Sequence, residues 1–240
     1  MPSFEPVSES DQLRNPQSAL LPDRRTAMTA AFRPDGSISP VTLDDRYQAI
    51  SEFVLNESVP HDVRVHFETA KNLYLYAWFV YRFFPVAEKH VLATLEFALR
   101  ERLTLLYPDR YGPDAEWVPG MAKMLKRARD EKLISNDGLR AYHRWAMQQA
   151  RTRVSDEATR KLIESGAESI EFDPDSAVPI EQDYSRDALE IFVKTLPEIR
   201  NIYAHGSSNL HATVLSTFEI VMDLVNQLFP SSASERSGET

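Results

Sequence analysis

Cysteine is absent from this chain, and glycine is scarce at seven of 240 residues. The first absence excludes disulfides, thiolate metal centres and cysteine nucleophiles, and it fits a reducing compartment, so a cytoplasmic location is expected. Long apolar runs are also missing. The most apolar stretch, Leu73 to Phe84, spans 12 residues and contains Arg82, well short of the roughly 18 needed to cross a bilayer. Acidic residues stand near the start, where a secretory leader would carry an apolar core. No membrane partner is expected. With few glycines and few alternating Val/Ile/Thr runs there is little material for a sheet, so the fold class read from the sequence is all-α. Phosphate-loop, dinucleotide, serine-elbow and zinc-protease signatures are missing too, and the six histidines do not cluster with carboxylates at metal-ligand spacing. No cofactor and no metal are therefore expected.

What is present divides the chain in three. Six of the 15 prolines fall in residues 1–40, which read as a flexible arm or a strap laid over the domain. Residues 41–230 form the helical domain, and 231–240 a disordered tail. Within the domain, Asp44 or Asp45 is placed to cap a helix running to about Asn56. A helix from His61 to Phe84 follows Pro60, and a third from Val86 to Leu106 follows Pro85. Further helices are expected from Gly120 to Leu133, from Leu139 to Arg153, from Ser155 to about Ile170, from Tyr184 to Ala204, bent or restarted at Pro197, and from Ser208 to Phe229. His61 and His66, five apart, point to different faces and read as structural. The aromatic run from Tyr74 to Phe84 suits a core or a dimer contact, which also motivates a homodimer.

The net charge of −9 argues against a general polyanion binder, but it hides an asymmetry. Residues 121–161 hold 11 Lys/Arg against five Asp/Glu, whereas residues 164–190 hold nine acids and one base. Two readings stay open. The opposed faces pair with each other in cis, or Lys123, Lys126, Arg127, Arg140, Arg144, Arg151 and Arg153 track RNA phosphates with Tyr142, His143 and Trp145 among them to stack on bases.

One short segment combines a permanent cation with a group that titrates near neutrality: Arg200-Asn201-Ile202-Tyr203-Ala204-His205-Gly206. Five helical steps separate Arg200 and His205 by about 140°, so they converge only at a corner, which Gly206 and the following Ser207, Ser208 and Asn209 are suited to make. In the plainer alternative Arg200 and His205 merely cap that corner.

This segment resembles the R-x4-6-H motif of the HEPN superfamily (higher eukaryotes and prokaryotes nucleotide-binding domain), in which a polar residue commonly follows the Arg. Leu95 to Leu103, LEFALRERL, is similar to a helix found upstream in several HEPN branches, and Met121 to Gly138, ending LISNDG, resembles the phrase that often follows it. The likeness spans residues 60–229. It implies an up-and-down helical bundle that dimerises, and an RNA-acting role, commonly as a metal-independent endoribonuclease of a toxin or defence system with an antitoxin or effector partner. Other members only bind RNA, nucleotide or protein. By that resemblance Arg200, His205 and Asn201 are the catalytic candidates: His205 to move protons, Arg200 to stabilise charge on phosphorus, Asn201 to orient one of them. Glu96, Arg100 and Tyr203 are the supporting candidates. Glu96 and Arg100, four apart on one face, either pair with each other or turn one member inward to hold Arg200 or Asn201. Ser207 occupies the position where one toxin branch carries a modifiable Tyr, so that mode of control is not expected.

Overall fold

Prolines, glycines and side-chain caps set where the periodic segments start and stop, as seen in a computed structural model that describes residues 7–117, 119–204, 211 and 213–231. Among these residues the chain is overwhelmingly helical: α1 (Arg24–Ala27), α2 (Leu43–Ser51), α3 (His61–Tyr76), α4 (Phe83–Leu106), α5 (Pro108–Tyr111), α6 (Met121–Asp130), α7 (Arg140–Ser165), α8 (Ala188–Ala204) and α9 (Leu215–Leu228). A single two-stranded antiparallel hairpin, β1 (Ala30–Phe32) and β2 (Ile38–Pro40), turns at Gly36. Its left-handed backbone, φ 81°, suits glycine.

The 24-residue α4 is the axis. Phe84, Ala87, Val91, Leu92, Leu95, Ala98, Leu99 and Leu103 are all buried along it. Helices α3, α9, α6 and α8 pack around it. On α3, Val63, Phe67, Ala70 and Tyr74 recur at three- and four-residue steps and face inward. On α9, Phe218, Val221, Met222, Leu224, Val225 and Leu228 are buried as well, so the apolar stripe of the last helix lies in the protomer's own core.

Several expected boundaries are corrected. Thr42, not Asp44 or Asp45, is the N-cap of α2, and it forms a reciprocal capping box with Asp45. Helix α3 stops at Tyr76 rather than Phe84, because Asp23 serves the backbone of the following turn: its N–H donates to Trp78 O at 2.9 Å and its carboxylate accepts from Tyr81 N at 3.2 Å. Pro85 does not break α4, since it lies in the first turn, where a backbone N–H has no helical acceptor. Ser155 is not a cap. From Arg140 to Ser165 there is neither Gly nor Pro, and α7 runs unbroken until Gly166 ends it in the left-handed region, φ 63°. Pro197 lies within α8, which continues through it. Helix α9 begins at Leu215, and Ser208, where it was expected to start, lies outside the described residues.

The N-terminal stretch lies as a strap across the α3–α4 turn. Asp23 is fully buried and bonds Arg25 through both carboxylate oxygens at 2.9 Å. Arg25 in turn reaches Asp11 at 2.9 Å, and Asp11 accepts from Arg82 at 2.7 Å. Burial works to raise the Asp23 carboxyl pKa, but the Arg25 side chain and the backbone donors of Arg25 and Tyr81 outweigh it and hold the pKa below the ordinary value. Residues 133–140 staple the other end. Asn136 accepts from Leu189 N at 2.8 Å, Gln227 accepts from Ser135 N at 2.8 Å, and Asp223 accepts from Arg140 N at 2.8 Å.

Asp23→Ala leaves Arg25 and the turn amide of Tyr81 without their acceptor, and removing one member of a buried pair costs about 3 kcal/mol, measurable by urea denaturation. His90 stacks on His66 with ring centroids 5.3 Å apart, and burial, then the neighbouring His66, pushes its pKa below the ordinary 6.5. Its contribution to stability is therefore complete above about pH 6.5 and is lost as the pH falls through the folded-state value. The melting temperature should drop as the pH falls below about 6.5, and His90→Gln should flatten that slope.

Candidate active site

Helix α8 carries Arg200, Asn201 and Tyr203 in its last turns, and two carboxylates of α4 receive them. Glu96 Oε2 accepts from Arg200 Nε at 3.2 Å and from Nη2 at 3.0 Å. Glu96 is largely enclosed, whereas the Arg200 side chain remains 39% exposed, with Nη1 left toward Asn201 Oδ1 at 3.4 Å. The pairing of Glu96 with Arg100 is not formed. Arg100 is exposed and has no ion pair among the described residues, so of the two alternatives the inward turn of Glu96 onto Arg200 is the one adopted. A guanidinium held through two nitrogens by one oxygen is fixed in orientation and still presents an edge to solvent.

One turn further, Tyr203 donates its hydroxyl proton to Glu88 Oε2 at 2.5 Å. The same carboxylate accepts from Thr217 Oγ1 at 2.5 Å on its other oxygen, and His211 Nε2 stands 2.7 Å from Tyr203 Oη and 3.4 Å from Glu88 Oε2. With the Tyr203 proton directed at Glu88, Tyr203 Oη is left to accept from His211 Nε2–H, and His211 Nδ1 stands 3.4 Å from Thr213 Oγ1. Burial, then the Glu88 hydrogen bond, pushes the Tyr203 hydroxyl pKa well above its ordinary value, so it remains a donor across the physiological range.

Sequence reasoning named Tyr203 but missed Glu88, His211 and Thr217. A signal for Glu88 existed. It stands four residues from Phe84 and four from Leu92, so the spacing that buries those two buries this acid. His211 had none, being joined to the motif only through space. His205 lies outside the described residues, as do Gly206 to Asn209, so the expected convergence of Arg200 and His205 falls outside them too.

The expected RNA-tracking residues are mostly engaged in cis. Arg127 pairs with Glu131, Arg140 with Asp223, Arg144 with Glu219 at 2.7 Å, Arg151 with Asp175 at 2.8 Å and Arg153 with Asp183 at 2.9 Å. Lys126 is exposed and without an ion pair among the described residues. Tyr142 and Trp145 pack against the core, Trp145 with its ring 5.6 Å from Phe192. His66 stacks on His90 and packs edge-on to Phe97 at 5.5 Å. No group of three or more metal-ligating side chains occurs, and no helix is long and apolar enough to cross a membrane, among the described residues.

No protein-family model matches this chain, and no curated protein or solved structure is a significant match to it.

The two carboxylates have separable roles. Glu88→Ala strands a tyrosine and a threonine donor near the core and should cost about 2–4 kcal/mol. Glu88→Gln, which keeps an acceptor, should cost less. Glu96→Ala frees a partly exposed Arg200 and should change stability by no more than about 1 kcal/mol. Denaturant titrations of the three variants side by side check that ordering.

Proposed function

We propose that this chain is an HEPN-type, RNA-acting protein and a metal-independent endoribonuclease of the toxin or defence kind, working as a homodimer. The observation that carries the reading is the clamp of Glu96 on Arg200, which fixes a half-exposed guanidinium beside Asn201 at the rim of a cavity. A phosphodiester approaching that edge meets a cation that stays charged at every physiological pH. In the proposed reaction the ribose 2′-oxygen attacks phosphorus and the 5′-oxygen leaves. His205 exchanges the protons of these two oxygens, and Arg200 lowers the energy of the charge that builds on the phosphoryl oxygens. Both nucleophile and leaving group belong to the substrate, so this transfer does not require a metal-bound water as nucleophile.

A second reading rests on a different observation. Five of the seven cations named for RNA contact are committed to carboxylates, which favours a non-catalytic module that binds RNA, nucleotide or a protein partner and in which Arg200 and His205 are architectural.

Cleavage of total cellular RNA in EDTA separates the readings. An endoribonuclease is active there, and His205→Ala lowers its rate by about 10²- to 10⁴-fold while RNA binding and melting temperature hold. Arg200→Lys also loses rate, because the planar guanidinium is gone although the charge remains. No EDTA-resistant cleavage by the wild-type protein, with unchanged RNA affinity in both variants, establishes the non-catalytic module. Light scattering at micromolar concentration should give twice the 27.4 kDa protomer mass; the protomer mass itself would refute the dimer.

A further inference from the structure

Beside Arg200 the surface opens into a cavity of about 280 Å³ between the first turn of α6 and the end of α8. One side is formed by Trp117, Gly120, Met121, Ala122 and Lys123, the other by Pro197, Arg200 and Asn201, with Glu96 behind. Trp117 is 61% exposed, an unusual state for so large an apolar side chain. Trp78 and Trp145 are both partly buried. Lys123 Nζ stands 4.6 Å from the centre of the Trp117 ring. An exposed indole with a cation on it, facing a second cation across a small cavity, joins two recognition elements: a flat π-surface and positive charge.

We propose that this cavity is a subsite for one nucleotide unit, in which the base stacks on Trp117 and the phosphate is held between Lys123 and Arg200. The inference rests on the reading of Arg200 as a phosphate-facing group and goes beyond it by assigning the base. Size supports a single unit, since 280 Å³ lies at the lower edge of the roughly 300–1,000 Å³ typical of small-ligand pockets. Charge supports it as well. The cavity carries two cations against one carboxylate, and that carboxylate is already bonded to Arg200. Past Trp117 the surface turns acidic, with Asp109, Asp114 and Glu116 against Arg110, so a polyanion is not drawn onward in that direction. Asn201, exposed at the rim, offers an amide that donates and accepts and so suits the edge of a base.

The same chemistry is presented by a free nucleoside monophosphate and by one unstacked residue of single-stranded RNA, so the test carries both. The probes are AMP, inorganic phosphate and a short 2′-O-methyl oligoadenylate, which binds as RNA does but has no free 2′-hydroxyl. Quenching of the full-length protein's tryptophan fluorescence and competition against the labelled oligonucleotide are read in parallel. Trp117→Ala should weaken AMP or oligonucleotide binding by roughly 5- to 150-fold, the range expected for loss of one base–aromatic stack. Trp117→Phe should keep most of the affinity, and Lys123→Met should weaken both ligands. Binding of AMP that competes with the oligonucleotide supports a site open to free nucleotide; a Trp117-dependent signal with the oligonucleotide alone supports a site filled from RNA. Equal affinities in wild type and Trp117→Ala for both ligands, or inorganic phosphate competing as well as AMP, overturns the base subsite. The subsite and the nuclease reading fail separately. Cleavage in EDTA with no effect of Trp117→Ala or Lys123→Met removes only the subsite, whereas Trp117-dependent AMP binding without any cleavage removes only the nuclease.

Discussion

The architecture depends on one demand, the burial of α4. Its buried side chains point in more directions than one neighbouring helix can cover, and each apolar side chain taken from water contributes roughly 1.5–3 kcal/mol. Helices α3, α9, α6 and α8 are the covering. Embedding a helix so fully also encloses whatever polar residues it carries, and α4 carries Glu88 and Glu96 on its enclosed side. A buried carboxylate without donors is strongly unfavourable. The donors come from α8, from the stretch leading into α9 and from α9 itself, so the same constraint that builds the core also assembles Arg200, Tyr203, His211 and Thr217 along α4.

The strap answers a smaller version of that demand. The turn between α3 and α4 leaves backbone groups that the helices do not serve, and Asp23 serves two of them while binding Arg25. The charges that look most available in the amino-acid sequence are the ones the fold commits most fully. Arg140, Arg144 and Arg153 each hold a carboxylate that is largely enclosed, on Asp223, Glu219 and Asp183. The basic stripe joins α7 to α9 and to the acidic loop before α8. Of the seven cations named for RNA contact, Lys123 and Lys126 on α6 are the two without an ion pair among the described residues.

Much of this was legible in the residue pattern, and the failures have physical reasons. Helical spacing placed α3, α4, α6, α8 and α9 because each has a buried face with three- and four-residue recurrence. The end of α3 was not legible, since the group that terminates it, Asp23, lies more than 50 residues away in a segment without periodicity. The unbroken α7 was misjudged for another reason: Ser155 has the chemistry of a cap, but nothing before it stops the helix. At the candidate site, Arg200 and Asn201 were legible as a motif and Glu96 as one of two alternatives. The cluster on Glu88 was not, because it joins residues from four separate parts of the chain, and only packing makes them neighbours.

The grip of α4 on α8 has a mechanical consequence. Glu88 and Glu96 are about 12 Å apart along one helix, and each engages a different side chain of the other. Two such fixed points make a detent. Turning α8 by one residue swings its side chains through 100°, which withdraws Arg200 and Tyr203 from both carboxylates together. A turn or slide of α8 against α4 is therefore opposed at two points a turn apart on α8, and the register that seats Tyr203 on Glu88 is also the register that presents Arg200 to Glu96.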